Sequence, residues 1–362
     1  MGEVLVGARD DAEVREVIAA AELRHLLGTV LGAHVGRSAL AAQATADDAA
    51  RAARWLTEAE QLGLPGFGVG MLLKDLSRIG AADANAAPDS APDPETVPGP
   101  ISAVDALGLP GPLALACAVR RAEAGIRAHG IGLIGIRRVG ALGVLGLAAR
   151  DLARTGAVAL LGAQAPAIVA PWGSTRPAIG TNPLAIAAPR KDAAPLVADF
   201  ATSPLTLAAL RERAAAGEQL PAGLAVDAAG APTVDPASVA AILPESLVGS
   251  LGGLLVELLA GVAVGGRETG AAASGRGAFV LAFDPARAGG ARAAEDTARL
   301  AADWRAAGGH LPSRFDALGD SDETGDTGGD AAPGTVPATV SLPAAHLATL
   351  RDLARAHGEA TR

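Results

Sequence analysis

From Gly156 to Leu210 the chain sets four short apolar runs beside two polar elements. The runs are Val158–Gly162 and Ala167–Ala170, which read as buried strands, and Leu184–Ala188 and Leu196–Phe200, which are further strand candidates. The polar elements are Gly180-Thr181-Asn182-Pro183 and Asp199-Phe200-Ala201-Thr202-Ser203. With strands following one another here, the regular alternation of strand and helix that a doubly wound sheet requires is missing. Polar, backbone-exposing elements placed against apolar runs suit a buried pocket that approaches a ligand closely.

The flanking sequence surrounds these strands with helices. Residues 11–63 read as helical, with Thr45 and Asp48 forming an imperfect capping box. The Ala, Pro and Asp-rich stretch Ala81–Pro100 reads as a loop or linker. A helix over Pro112–His129 stops at Gly130, and Ile131–Ile136 is a short buried strand. Ala141–Thr155 reads as helical, and Ser246–Val262 as a Gly-containing buried helix. Ala278–Phe283 is a strand, 291–307 a helix, Thr339–Leu342 a short strand and Ala344–His357 a last amphipathic helix. The expected fold is α/β with a mixed sheet. Three regions are expected: an N-terminal helical domain over 1–97 completed by about 290–362, a central α/β domain over 98–289, and an acidic loop over 316–335.

With 362 residues the chain can bury a large core. It holds only two Lys, no Tyr and a great excess of Ala, a bias that lowers the weight any single Ala or Arg deserves. A net charge of −9 argues against a general nucleic-acid binder. The single Cys117, in the apolar run LALACAV, reads as a buried structural thiol. The N-terminus shows no signal-peptide pattern and no apolar run reads as a membrane span, so a cytoplasmic protein is expected. His spacing gives no metal site, and no Ser-centred nucleophile elbow occurs.

A dinucleotide-binding strand–turn–helix needs G-x-G-x-x-G and an acid about 20 residues on. After strand 131–136 the glycines at 140, 143 and 146 have the wrong spacing, and no Asp or Glu occurs between Leu152 and Lys191. That acid-free window carries Arg154, Arg176, Arg190 and Lys191. Beside Gly-rich loops these cations suit an anion such as a pyrophosphate; alternatively they form a solvated surface.

From about Leu40 onward, a series of motifs resembles the malate/L-lactate dehydrogenase-like oxidoreductases, the non-Rossmann type that includes sulfolactate, ureidoglycolate and piperideine-2-carboxylate enzymes. The motifs run in one order: AEQLG, RAEAGIRAHGIGLIGIRRVGALG, VAPWGSTRPAIGTNPLAIAAP, VADFATS and LPAGLAVDAAGAPTVDP. The resemblance implies a non-Rossmann fold, an NAD(P) cofactor, a homodimer and a small 2-oxo, 2-hydroxy or cyclic imino acid as ligand. It places Gly173, Ser174, Gly180, Thr181, Asn182, Asp199, Ala201, Thr202 and Ser203 on the cofactor side.

The catalytic positions depart from the family pattern. The histidine of Asn-His-Phe-Gly falls on Arg138, next to Arg137. The histidine and arginine of a second motif fall on Phe67 and Met71, and a lysine falls on Val248. His310 lies in a segment that is near the active site in relatives. Arginine remains protonated, so Arg138 can hold a carboxylate or enolate but is a poor proton carrier. Three readings stand: an oxidoreductase with an altered proton relay, in which water or Asp199 passes the proton; a fold repurposed for non-redox biosynthetic chemistry in an apolar pocket; and a catalytically silent binding partner. Arg138 and Phe67 are expected to face one cleft.

Overall fold

The computed structural model describes residues 14–35, 44–82, 99–266, 276–318 and 336–360. Residues 83–98 of the expected linker and 319–335 of the expected acidic loop lie outside the described residues. Among the described residues, no helix is long and apolar enough to cross a membrane.

The chain begins with a departure from its helical pattern. Residues Arg15–Ala19 form a strand, β1, before helix α1 (Ala20–Gly32). At the other end of the chain, β10 (Thr339–Pro343) precedes α9 (Ala344–Ala360) and pairs antiparallel with β1. A distant partner strand therefore overrides local periodicity. Helix α2 (Ala46–Gln61) is capped by Thr45, whose side chain accepts from the Asp48 N–H while the Asp48 carboxylate accepts from the Thr45 N–H. A short tight turn at Pro65–Phe67 leads into α3 (Val69–Ala82). Helices α1, α2 and α9 pack together on Leu23, Leu27, Leu56, Leu347 and Leu350.

The central sheet contains β2 (Ile101–Asp105), β3 (Ile131–Val139), β4 (Val158–Ala163), β5 (Pro183–Ala188), β6 (Leu196–Ala201) and β9 (Arg276–Phe283). Its order is β2-β3-β9-β4-β5-β6, with β2 parallel to β3 and every other pair antiparallel. This is the expected mixed sheet. The late strand β9 inserts between β3 and β4, which a local sequence pattern does not reveal.

Helices α4 (Gly111–His129) and α5 (Leu145–Arg154) cover one face of the sheet, above Ile134, Ile136, Leu161 and Val280. Gly130 ends α4 in the left-handed conformation at φ 81°. Alternate residues Leu133, Leu160, Phe279 and Leu281 face the other side, against Val256 and Ala260. There the chain runs through α6 (Leu207–Ala216), the short strands β7 (Ala225–Val226) and β8 (Ala241–Ile242), and α7 (Leu247–Val256). A wide helical turn over Glu257–Val262 prolongs α7, and α8 (Ala293–Ala306) follows β9.

Two expectations need correction. The Ser246–Val262 segment is not a buried helix: only Ser250, Gly253 and Val256 of α7 are buried, while Leu251 is 53% and Val248 78% exposed. Small residues let one side of this segment pack closely and leave the leucines outside. Ala167–Ala170 is not a ladder strand; Val169 makes only isolated bridges to Ile179 and Ile242.

The approach of α4 to β3 depends on a pair of glycines. A methyl on Gly132 would lie 2.7 Å from the Ala122 carbonyl oxygen, and one on Gly125 would lie 3.0 Å from the Gly132 Cα. Both contacts are with backbone, so the helix itself would have to move. We expect Gly132→Ala to lower stability by about 1–3 kcal/mol. Urea unfolding monitored by circular dichroism checks this; an unchanged midpoint would show that helix and strand can separate freely.

Candidate active site

Several connections converge where the strands end. Near its end β3 turns sharply at Arg138, which has φ 57°, and a register shift between Ile136 and Val139 marks a bulge. Both guanidinium groups made available there turn to one carboxylate. Arg137 lies 3.1 Å from Asp105, and Arg138 binds Asp105 through Nε at 2.9 Å and through Nη2. Asp105 is only 2% exposed. The two arginines therefore compensate a buried charge, and the uncommon backbone conformation is held by that pairing.

Beyond the bulge, residues 140–145 border a cleft of about 450 Å³. Phe67 and Met71 border it at the start of α3, Thr181 at the entry to β5, and Asp199 and Ala201 at the end of β6. Small residues, among them Gly140, Ala141, Ala163 and Ala165, give it smooth apolar walls. Volume and lining fall in the ordinary range of small-molecule sites.

Asp199 is the carboxylate of this cleft. Its Oδ2 accepts a 2.7 Å hydrogen bond from the Gly146 N–H at the start of α5. The residue keeps some solvent contact through the cleft, but protein encloses its carboxyl. Burial pushes its pKa up to about 6, against the smaller opposing pulls of the Gly146 N–H and the Arg314 charge. Gly146 is required at this contact, since a methyl there would lie 2.4 Å from Phe315 Cζ and 2.8 Å from Asp199 Oδ2.

A second cavity of about 320 Å³ adjoins the first and shares Gly66, Met71, Ala141, Ala208, Arg211 and Arg276 with it. Its further lining includes Lys74, Asp75, Arg78, Glu212 and His346. Sequence reading missed Arg276, Arg211 and Arg314. Arg276 belongs to a strand that starts earlier than its apolar run, and Arg211 to a helix, α6, that was not anticipated. In a chain rich in Arg, none stood out.

The structure gathers only some of the expected site residues. Phe67, Met71, Thr181, Asp199 and Ala201 line the cleft. Arg137 and Arg138 do not; Asp105 draws them away, so the expectation that Arg138 and Phe67 share this cleft is not met. Asn182 is fully buried behind the wall, where its side chain accepts from the Ala165 N–H and donates to the Gly253 carbonyl and to Glu257. Gly180 is equally internal, with the Ala165 carbonyl 2.3 Å from where its Cβ would be. The Thr202 hydroxyl donates to the Asn182 carbonyl, and the Ser203 hydroxyl to the Leu205 carbonyl. Gly173 and Ser174 form an outlying turn in which Ser174 accepts from the Arg176 N–H. Val248 and His310 are exposed away from the cleft. Of the cations noted in the acid-free window, Arg190 pairs with Asp316 at 3.2 Å and Lys191 with Glu295 at 3.6 Å. Arg154 sits in the last turn of α5 and Arg176 is exposed, so none of the four lines the cleft.

Comparison with known proteins adds to this geometry. Residues 30–313 match the model of the family described as malate/L-lactate dehydrogenase. The chain is 36% identical to a (2R)-3-sulfolactate dehydrogenase (NADP(+)) of Chromohalobacter salexigens over 251 residues, which is 65% of this chain and 73% of that protein. It is 34% identical to a Delta(1)-pyrroline-2-carboxylate/Delta(1)-piperideine-2-carboxylate reductase of Pseudomonas putida, over 57% of this chain and 64% of the relative. Among solved structures, a dehydrogenase from Sinorhizobium meliloti superposes with a TM-score of 0.69 at 26% identity, covering 94% of this chain and 99% of that one. Delta1-piperideine-2-carboxylate reductase from Pseudomonas syringae shares the fold at a TM-score of 0.71 and 24% identity, covering 93% of this chain and 99% of that one.

The placement of Arg138 is open to test. Arg138→Met is expected to lower stability by about 1–2 kcal/mol in urea unfolding, because Asp105 loses a buried partner. For the nicotinamide cofactor proposed below, binding followed by fluorescence is expected to stay within about twofold, as Arg138 is not among the residues that line the cleft. Unchanged stability with lost binding would return Arg138 to the site.

Proposed function

Because the chain belongs to the malate/L-lactate dehydrogenase family, we propose that it is an NAD(P)-linked oxidoreductase of a small 2-oxo or cyclic imino acid, with Asp199 as its proton carrier. The observation that carries this reading is a single carboxyl, enclosed in an apolar cleft and pushed up to about 6, at the end of a strand that borders the cleft. A group poised near neutrality can both give and take a proton, which arginine cannot do.

The cleft also fits a nicotinamide by its shape. The backbone and small side chains of residues 140–145, together with Ala163, Ala165 and Thr181, offer flat walls against which a planar ring can rest. Gly143 holds φ 87° there, with the Phe67 carbonyl oxygen 3.6 Å and the Met71 methyl 3.8 Å from where its Cβ would be. The chemistry that a nicotinamide held there would supply is hydride transfer to the substrate carbon, or from it in the oxidising direction.

Asp199 performs the accompanying proton movement. Its Oδ2 is occupied by the Gly146 N–H, which leaves Oδ1 to carry the proton. In the reducing direction Oδ1–H donates to the substrate oxygen or nitrogen as negative charge develops there; in the oxidising direction the ionised carboxylate takes that proton back. Phe67 and Met71 exclude water from the same space, keeping the carboxyl's environment poor in solvent. These two apolar residues stand where the family resemblance implies polar ones, so the site we propose is an altered one. They also favour a second reading, in which the fold serves non-redox chemistry on a more apolar ligand.

A homodimer belongs to this proposal. Leu251, Leu254, Leu255 and Leu258 form an exposed apolar stripe along α7 and its extension, suited to a second copy of the chain. Sedimentation is expected to give two chains per particle, and Leu251→Asp with Leu255→Asp to give one. A single-chain particle for the unaltered protein would rule the dimer out.

The proton role fixes the sign of the pH dependence. Reduction requires protonated Asp199, so kcat/KM for reduction should fall as pH rises through about 6, and that for oxidation should rise through the same value. Asp199→Asn should lower both by about 100-fold or more and abolish this inflection. Steady-state rates with NADPH and NADH on 2-oxo and cyclic imino acids test the assignment. No binding of either cofactor at millimolar concentration would sink the redox reading in favour of the second one.

A further inference from the structure

The basic residues at the junction of the two cavities have no role in the proton step. Arg276 opens β9 with its side chain largely enclosed, yet no hydrogen bond or ion pair to it occurs among the described residues. The charges that act on it are Arg78, Arg211 and Asp75. Asp75 is already engaged: Oδ1 accepts from Arg78 at 2.9 Å, and Oδ2 accepts from the Gly111 N–H at 2.7 Å. Arg211, exposed on α6, reaches the same junction, and no hydrogen bond or ion pair to it occurs among the described residues either. Lys74 adds a further cation at the side cavity, where Glu212 is the other acid and His346 the remaining titratable group.

Enclosed charges in proteins are ordinarily paired, because losing water costs several kcal/mol that only a counter-charge offsets. Two guanidinium groups facing one space, in a chain whose net charge is −9, make a local field opposite in sign to the protein as a whole. Burial and the neighbouring Arg78 both weaken the hold of Arg276 on its proton, a strain that an anion would relieve. Met71 and Phe67, which border the cleft beside them, offer no charge.

We propose that Arg276 and Arg211 form an anion site at the junction of the cleft and the side cavity, and that this site holds the carboxylate of the substrate. The proposal rests on the redox reading for the identity of that substrate. The planar guanidinium of Arg276 matches a carboxylate in two-point geometry, while Arg211, nearer solvent, draws the anion in. The acid's carboxylate is thereby anchored from β9 and α6, on residues distinct from the proton-carrying Asp199, and its reacting carbon lies in the cleft that Asp199 borders. Arg276 acts here as a binding residue whose position selects anionic substrates.

Calorimetric titration of the cofactor-free protein with oxamate, a carboxylate that the enzyme does not reduce, tests the site directly. Arg276→Met is expected to weaken oxamate about 30-fold, Arg211→Met by less, and Arg276→Lys to restore part of the loss. The thermal midpoint of the unaltered protein should rise with added oxamate, and that of Arg276→Met should not. With a turned-over 2-oxo acid, Arg276→Met should raise KM far more than it lowers kcat, with NADPH affinity unchanged. Equal oxamate affinity in the unaltered protein and Arg276→Met would overturn the proposal; so would an oxamate-independent midpoint of the unaltered protein, which needs no variant to fold. If neither nicotinamide binds but oxamate binding depends on Arg276, the redox reading fails and the anion site stands. If turnover proceeds with KM unmoved by Arg276→Met, the anion site fails and the redox reading stands.

Discussion

The hydrogen bond from the Gly146 N–H to the Asp199 carboxylate joins α5 to β6, and the cleft is built around it. It exists because position 146 has no side chain: Phe315 and Asp199 already occupy the space a Cβ would need. The first turn of a helix leaves its amides without helical partners, and one of them meets the carboxylate at an apolar wall. Two opposed effects meet at this contact. Enclosure raises the carboxyl's pKa, while the amide and the more distant Arg314 lower it, and enclosure dominates. The outcome is a carboxyl pushed up to about 6.

The arginines divide by the same physics into two groups. Several are committed to buried carboxylates. Arg120 pairs with Asp48 beneath the α2 cap, Arg54 and Trp55 bind Asp151, and Arg137 and Arg138 share Asp105. These pairs hold α2, α4, α5 and the bulge near the end of β3 in place, since a lone buried carboxylate would cost several kcal/mol. Arg276 and Arg211 differ in having space rather than a carboxylate before them. What separates the structural arginines from the pair proposed to bind a ligand is whether the fold supplies a counter-charge within bonding distance.

Local features were legible where a short stretch of chain completes its own interactions. The Thr45–Asp48 cap, the stop of α4 at Gly130, the strands from Val158 to Ala201 and the mixed character of the sheet could be read from residues alone. The GTNP and DFATS elements could also be read as pocket-forming, and Thr181, Asp199 and Ala201 do border the cleft. Their neighbours Asn182, Thr202 and Ser203 have polar side chains bonded to the protein's own backbone, which spacing along the chain cannot distinguish from bonding to a ligand. The pairing of Arg138 was hidden for a related reason: its partner Asp105 sits on the adjacent parallel strand, far away in sequence.

The sequence by itself determined the family, the class of sheet and two segments that border the cleft, because these follow from apolar periodicity, turn residues and an ordered run of motifs. Only the tertiary structure decided which charged groups are free to act. Asp199 titrates near neutrality because protein from several segments encloses it, and Arg276 faces open space because the nearest acid is already bound by Arg78 and Gly111. Solvation and counter-charge are properties of the assembled surroundings. They depend on residues that the chain brings together from positions as distant as Asp75, Asp199, Arg276 and Arg314, and no local stretch of sequence contains them.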